Sequence, residues 1–176
     1  EELESGQHPF DNSVARSFLE DLVETMPVVV ITNSSPDKVG EKLRLLNPRL
    51  HDKIILYGSA SKYQNEPDWD GQVKVHGGQR TILDHESIAD LGRPVLLKRK
   101  LYAELLGHLS LKFRVAPEEI GVLGDVYDLD LGAPKSLGMQ VGMMTRAQTK
   151  PYETRHAHFN AANIDEARVF YGIEKA

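Results

Sequence analysis

Three short polar stretches, each directly after an apolar run, carry the residue types that phosphate and metal chemistry needs. Thr32-Asn33 follow Val28-Val29-Val30-Ile31, Lys98-Arg99-Lys100 follow the run 94–97, and Asp125 follows the run 120–123 with Asp128 and Asp130 close behind. Together they offer a hydroxyl and backbone N–H groups, a cation and a carboxylate cluster, the set that a phosphate and a divalent cation jointly require. Taken singly, each has a structural alternative: Asp125 and Asp130 suit a turn and a helix N-cap, and Lys98 to Lys100 suit a solvated charge run. The chemistry therefore depends on whether strands and helices bring the three stretches to one place.

The elements that must position them are legible in outline. From Asn12 or Ser13, as N-cap, Val14, Phe18, Leu19, Leu22, Val23 and Met26 recur at helical spacing, and Pro27 stops the pattern. The β-branched run 28–31 has no polar alternation, as expected of a parallel strand covered on both faces. Ser35-Pro36-Asp37 combines a capping hydroxyl, a proline in the first turn and an acid near the helix start, and Val39, Leu43 and Leu46 face inward from the helix that follows. Further strands are expected at 53–57, 94–97, 120–123 and 140–144, with helices at 101–113 and 131–137. Residues 58–92 form a polar, Gly-rich excursion with short strands at 73–75 and 81–83. The alternation predicts an α/β chain with a mainly parallel sheet, in which ligands bind beyond the carboxyl ends of the strands. Residues 1–150 are expected as the core and 151–176 as a C-terminal extension, carrying a helix near 164–170 and available for a subunit contact in a homo-oligomer.

Composition narrows the function classes. The 176 residues include 40% hydrophobic and 27% charged side chains, enough for one substantial soluble core. A formal charge of −5 gives no general attraction to nucleic acid or anionic lipid. With no cysteine, disulfides, thiolate catalysis and Cys-based metal sites are excluded, and cytoplasm is the expected compartment. No apolar run approaches the roughly 20 residues of a membrane span. His156-Ala157-His158 has metal-ligand types on alternating faces of a strand and is read as a solvated tail. Gly58-Ser59-Ala60-Ser61 and Gly77-Gly78 match no phosphate-loop fingerprint and are read as turns.

The segment Gly124-Asp125 to Asp130, continuing through Gly138-Met139, resembles motif IV of the haloacid dehalogenase (HAD) superfamily, GDxxxxD followed by a helix and a Gly-Met turn. Residues 28–34 resemble its motif II, a hydrophobic strand ending in Thr or Ser. Counting back from Asp125 without gaps puts the motif III lysine at Lys100, and one small gap moves it to Lys98. The resemblance covers about residues 14 to 150. It implies a three-layer Rossmann-like core and a Mg-dependent phosphatase acting on a small phosphorylated substrate through an aspartyl-phosphate. Thr32 and Asn33 would then bind phosphate, with Thr32 also catalytic, and Lys100 or Lys98 would neutralise the transferring group and orient the nucleophile. Asp125 would bind Mg2+, and Asp130 would support the metal site or pair with the lysine. A dehalogenase fits less well, because that chemistry gives the acidic cluster no purpose.

One departure stands out. Members of the superfamily use an Asp-x-Asp at the end of their first strand, as nucleophile and general acid/base, and none precedes Thr32. Asp68-Trp69-Asp70-Gly71 imitates it, but Tyr63 to Pro67 before it does not read as a buried strand. The expectation is an upstream segment carrying the motif, without which the sheet lacks its central strand and the chain is inactive. The alternative from another class is a non-catalytic phosphate-binding or interaction module.

Overall fold

The computed structural model describes residues 13–89 and 91–173, which divide into two compact units on either side of the Gly58–Ser59 bond. The Asn12 N-cap expected for the first helix lies outside the described residues.

The first unit is built from α1 (Ser13–Thr25), β1 (Val29–Ile31), α2 (Pro36–Leu46), α3 (Pro48–Lys53) and β2 (Ile55–Tyr57). The apolar stripe of α1 buries Phe18 and Leu22. Leu43, Leu50 and Ile54 form the centre of its core, with Leu19, Val23, Val28 and Val30 packed around them. Each such side chain withdrawn from water contributes roughly 1.5–3 kcal/mol. Ser35 stands at the N-cap of α2 in extended conformation, but its hydroxyl makes no capping bond, so Pro36 and Asp37 mark that start. Asn47 ends α2 and starts α3, where its side chain accepts from Arg49 N at 2.9 Å and donates to Glu20 at 2.6 Å. β1 and β2 pair in parallel, Val29 opposite Ile55 and Ile31 opposite Tyr57.

The second unit opens with two antiparallel ribbons, β3 (Gln72–Val75) with β4 (Gly78–Thr81), and β5 (His85–Glu86) with β6 (Val95–Leu96). Then come α4 (Lys100–Phe113), β7 (Gly121–Gly124), α5 (Gly132–Ser136), β8 (Gln140–Met144), α6 (Pro151–His156), β9 (Phe159–Ala161) and α7 (Ile164–Phe170). β7, β8 and β9 form a parallel sheet in that order. Val73 and Val75 alternate inward from β3, and α4 lies so close to it that a Cβ at Gly107 would fall 2.5 Å from Lys74 O.

Several sequence expectations change here. Residues 94–97 belong to an antiparallel ribbon rather than a parallel sheet: Val95 and Leu97 are buried while Leu96 is exposed, the alternation of a strand covered on one face. The strand expected at 81–83 lies earlier, at β4, leaving Ile82 buried beyond its end. The helix expected at 131–137 is α5, entered through a wide helical turn at Tyr127–Leu131. The tail is not simply solvated. β9 adds to the sheet, and His158 extends the ladder, donating its N–H to Val141 O at 2.9 Å and accepting from Val141 N on Nδ1 at 3.1 Å. In place of one mainly parallel sheet the described residues show four separate sheets, two parallel and two antiparallel. Among them β1 is paired only with β2, and β7 only with β8.

Candidate functional site

Thr32 and Asn33 leave the carboxyl end of β1 in the first unit. Thr32 N donates to Tyr57 O at 3.0 Å, which carries the β1–β2 pairing one residue further, and its hydroxyl oxygen accepts from Ser34 N at 3.1 Å. Asn33 is exposed.

Lys98, Lys100, Asp125 and Asp130 belong to the second unit. Asp125 follows the carboxyl end of β7, and Arg146 lies just past the end of the neighbouring β8, so the two termini face each other. Arg146 Nη1 stands 2.7 Å from Asp125 Oδ2, with both side chains about half exposed at 47% and 52%. Asp130, five residues on, has only 12% of its side chain exposed and is held from two directions. Its Oδ1 takes the ammonium of Lys62, and its Oδ2 accepts from Val126 N at 3.1 Å and Asp125 N at 3.3 Å. A glycine is required beside it: a Cβ at Gly124 would lie 2.4 Å from Asp130 Cβ. The Gly-Asp of the sequence is thus a steric match, with Gly124 making room for the carboxylate that fixes the Asp125 backbone.

The basic triplet divides. Lys98 Nζ pairs with Asp84 at 2.8 Å and donates to Pro67 O at 3.0 Å, and that contact draws the Asp84 carboxyl below its ordinary range. Arg99 is buried, and burial lowers its guanidinium from the ordinary value while Asp128 and Asp130 nearby favour the charged form. Lys100 is the first residue of α4, half-buried, with no ion pair to another side chain among the described residues. Asp68 and Asp70 lie in the loop before β3, where Asp70 Oδ1 accepts from Gln72 N at 2.9 Å and Gly71 has φ 75, which is turn geometry.

A second cluster backs the acidic loop. Glu86 accepts from Tyr127 OH at 2.7 Å and Lys135 Nζ at 3.1 Å, and its Oε1 lies 3.0 Å from His156 Nδ1. Glu153 accepts from Tyr127 N at 3.1 Å. Burial works against the Glu86 carboxylate, but the bonds from Tyr127, Lys135 and His156 outweigh it and hold its pKa below the ordinary range. Burial and the Glu86 charge push the Tyr127 phenol up, so it stays a donor.

Of these residues Lys62, Arg99, Glu86, Tyr127 and Arg146 were not singled out from the sequence as site residues. Lys62 had one usable signal, its place just past the end of a parallel strand. Tyr127 lies within the acidic loop itself, and Arg99, Glu86 and Arg146 become its neighbours only through tertiary contacts.

For a Mg2+ ion the donor set is lopsided. Asp125 presents a half-exposed carboxylate, whereas three of the roughly four acceptor positions of Asp130 are filled, one of them by an ammonium. No group of three or more His, Asp or Glu side chains among the described residues is arranged to hold a metal. Mg2+ usually takes one or two carboxylates and keeps water and phosphate oxygens for the rest, so Asp125 suits one ligand position and Asp130 suits the support of that ligand.

Comparison with solved structures finds a HAD phosphatase from Thermococcus onnurineus, with a TM-score of 0.52 and 21% identity over 91% of this chain. The chain covers 57% of that protein's length. The fold is therefore HAD-like, a mixed α/β arrangement with parallel sheet pieces. Comparison with models of known protein families gives no match, and neither does comparison with curated protein sequences. No helix among the described residues is long and apolar enough to cross a membrane.

Proposed function

We propose that the chain is the larger part of a Mg-dependent HAD-type phosphohydrolase acting on a small phosphomonoester. The nucleophilic Asp-x-Asp comes from a segment outside these 176 residues. The observation that carries the reading is the pair of carboxylates after β7, one presented to solvent and one locked beneath it, on a HAD-like fold. The solved phosphatase is longer than the stretch matched here, which leaves room for such a segment.

In this reading Asp125 holds the metal after releasing Arg146, and Asp130 keeps the Asp125 backbone in place through two N–H bonds. Thr32 offers its hydroxyl, and Thr32 and Asn33 their backbone, to phosphate oxygens. Lys100, the lysine of the triplet without a partner carboxylate among the described residues, neutralises the transferring group; Lys98 is already paired with Asp84. Mg2+, when bound, supplies charge stabilisation to the phosphoryl oxygens. The second reading, a non-catalytic phosphate-binding module, is favoured by the turn geometry of Asp68 to Gly71, which leaves this stretch without a strand-end Asp-x-Asp.

The test is hydrolysis of p-nitrophenyl phosphate by the full polypeptide, with and without Mg2+, before and after Asp125→Asn. Several kcal/mol of lost charge stabilisation corresponds to a fall of at least about 100-fold. Mg-independent turnover, or turnover unchanged in Asp125→Asn, would overturn the assignment. No turnover at all in a polypeptide lacking Asp-x-Asp upstream would leave the binding module in possession.

A further inference from the structure

The loop after β2 is strained in a way its residue types do not invite. Ser59 and Ser61 have φ of 51 and 48, left-handed values that side chains with a Cβ adopt only when their surroundings impose them. The stretch that follows them is held by Lys98 and Arg99, the two residues before α4. Arg99 Nη1 donates to Lys62 O, Glu66 N donates to Lys98 O at 2.8 Å, and Lys98 Nζ donates to Pro67 O at 3.0 Å. Residues 98 and 99 thus hold segment 62–67 by backbone and side chain together. What the held loop delivers is the Lys62 ammonium, which meets Asp130 and stands 5.8 Å from the centre of the Tyr102 ring. Tyr102 OH in turn donates to Asp130 O at 2.9 Å.

We infer that Lys62, supplied from the β2 end and held there by Arg99, is a positioning residue that sets the acidic loop: Arg99 fixes Lys62, Lys62 fixes Asp130, and Asp130 fixes the Asp125 backbone. This rests on the proposed role of Asp125 and adds two residues to it. It also gives the basic triplet a division of labour, since its buried middle member acts on a loop rather than on phosphate. An ammonium against Oδ1 holds the Asp130 carboxylate turned so that Oδ2 receives both N–H groups. Without it the carboxylate is free to rotate, and the Asp125–Val126 backbone loses the bonds that aim the Asp125 side chain.

Amide hydrogen exchange at Asp125 and Val126, read by NMR in the full polypeptide, tests this without metal or substrate. Lys62→Met should speed exchange at both amides by on the order of 10-fold, the worth of one charge-assisted hydrogen bond. Lys62→Arg should restore most of the protection. Arg99→Met should act in the same direction, and the double variant should fall short of the product of the single effects, because both act on one contact. Should Lys62→Met unfold the chain, Lys62→Gln and Lys62→Arg give the same comparison. Unchanged exchange at both amides, or effects of Lys62 and Arg99 that multiply fully, would overturn the inference. A second readout separates it from the reading of function: if the full polypeptide hydrolyses phosphomonoesters, Lys62→Met should raise the Mg2+ concentration for half-maximal rate more than it raises KM. Absence of hydrolysis in the wild type counts against the function alone and leaves the exchange result standing.

Discussion

The two compact units hold their polar strand ends by different means. In the first, the end of β1 is fixed by backbone: Thr32 N continues the pairing with Tyr57, and the one side-chain hydrogen bond of Thr32 among the described residues reaches only two residues along, to Ser34 N. In the second, the end of β7 is fixed by side chains from far along the chain, with Lys62 on Asp130 and Glu86 on Tyr127 separated by 68 and 41 residues. A backbone-held end tolerates side-chain change, because the strand pairing persists whatever the residue. A side-chain-held end does not, because removing one member leaves a partner buried and unmatched.

The sharpest way to break this contrast is Asp130→Ala, which takes its carboxylate away from the Lys62 ammonium, at 13% side-chain exposure, and from two part-buried N–H groups. Loss of one member of a buried pair costs about 3–5 kcal/mol, and a fall of that size in urea-unfolding free energy is expected. A loss no larger than that of an exposed pair would show that the two ends are held alike. Glu86→Gln comes next, at about 1 kcal/mol near neutral pH, and its signature is pH dependence. The Glu86 pKa is depressed in the fold, so its contribution is complete above the ordinary glutamate range and is lost as pH falls through the depressed value. Stability curves of wild type and Glu86→Gln should therefore converge on acidification; a gap that widens instead would reverse the assigned sign. Smallest is Thr32→Ala, at about 0.5 kcal/mol, since only the local bond to Ser34 N goes and that amide can turn to water. Thermal unfolding should barely register it, even where turnover falls, and a large stability loss would erase the distinction between the units.

Much of the scaffold was legible because its signals are local. The stripe Phe18, Leu22 marked α1, Pro36 and Asp37 marked the start of α2, and the β-branched run before Thr32 marked β1. The run 94–97 misled because an apolar stretch of four looks alike whether it is covered on both faces or, like Val95 and Leu97, on one. His156 and His158 looked idle because their partners, Glu86 and Val141, lie 70 and 17 residues away.

By itself the sequence determined that Asp125 would stand at the carboxyl end of a strand, with Gly124 before it and a second carboxylate one helical turn on. Strand periodicity and the small residue in Gly-Asp are local requirements, and local requirements are written in consecutive residues. Only the tertiary structure decided which cation meets that second carboxylate. Lys62, Lys98 and Lys100 carry the same charge, and no pattern of spacing separates them. The choice falls to Lys62 because Asp84 and Pro67 O engage Lys98 while a buried Arg99 holds the loop that presents Lys62. Partner choice among like charges is a matter of geometry and desolvation, and both exist only once the chain has folded.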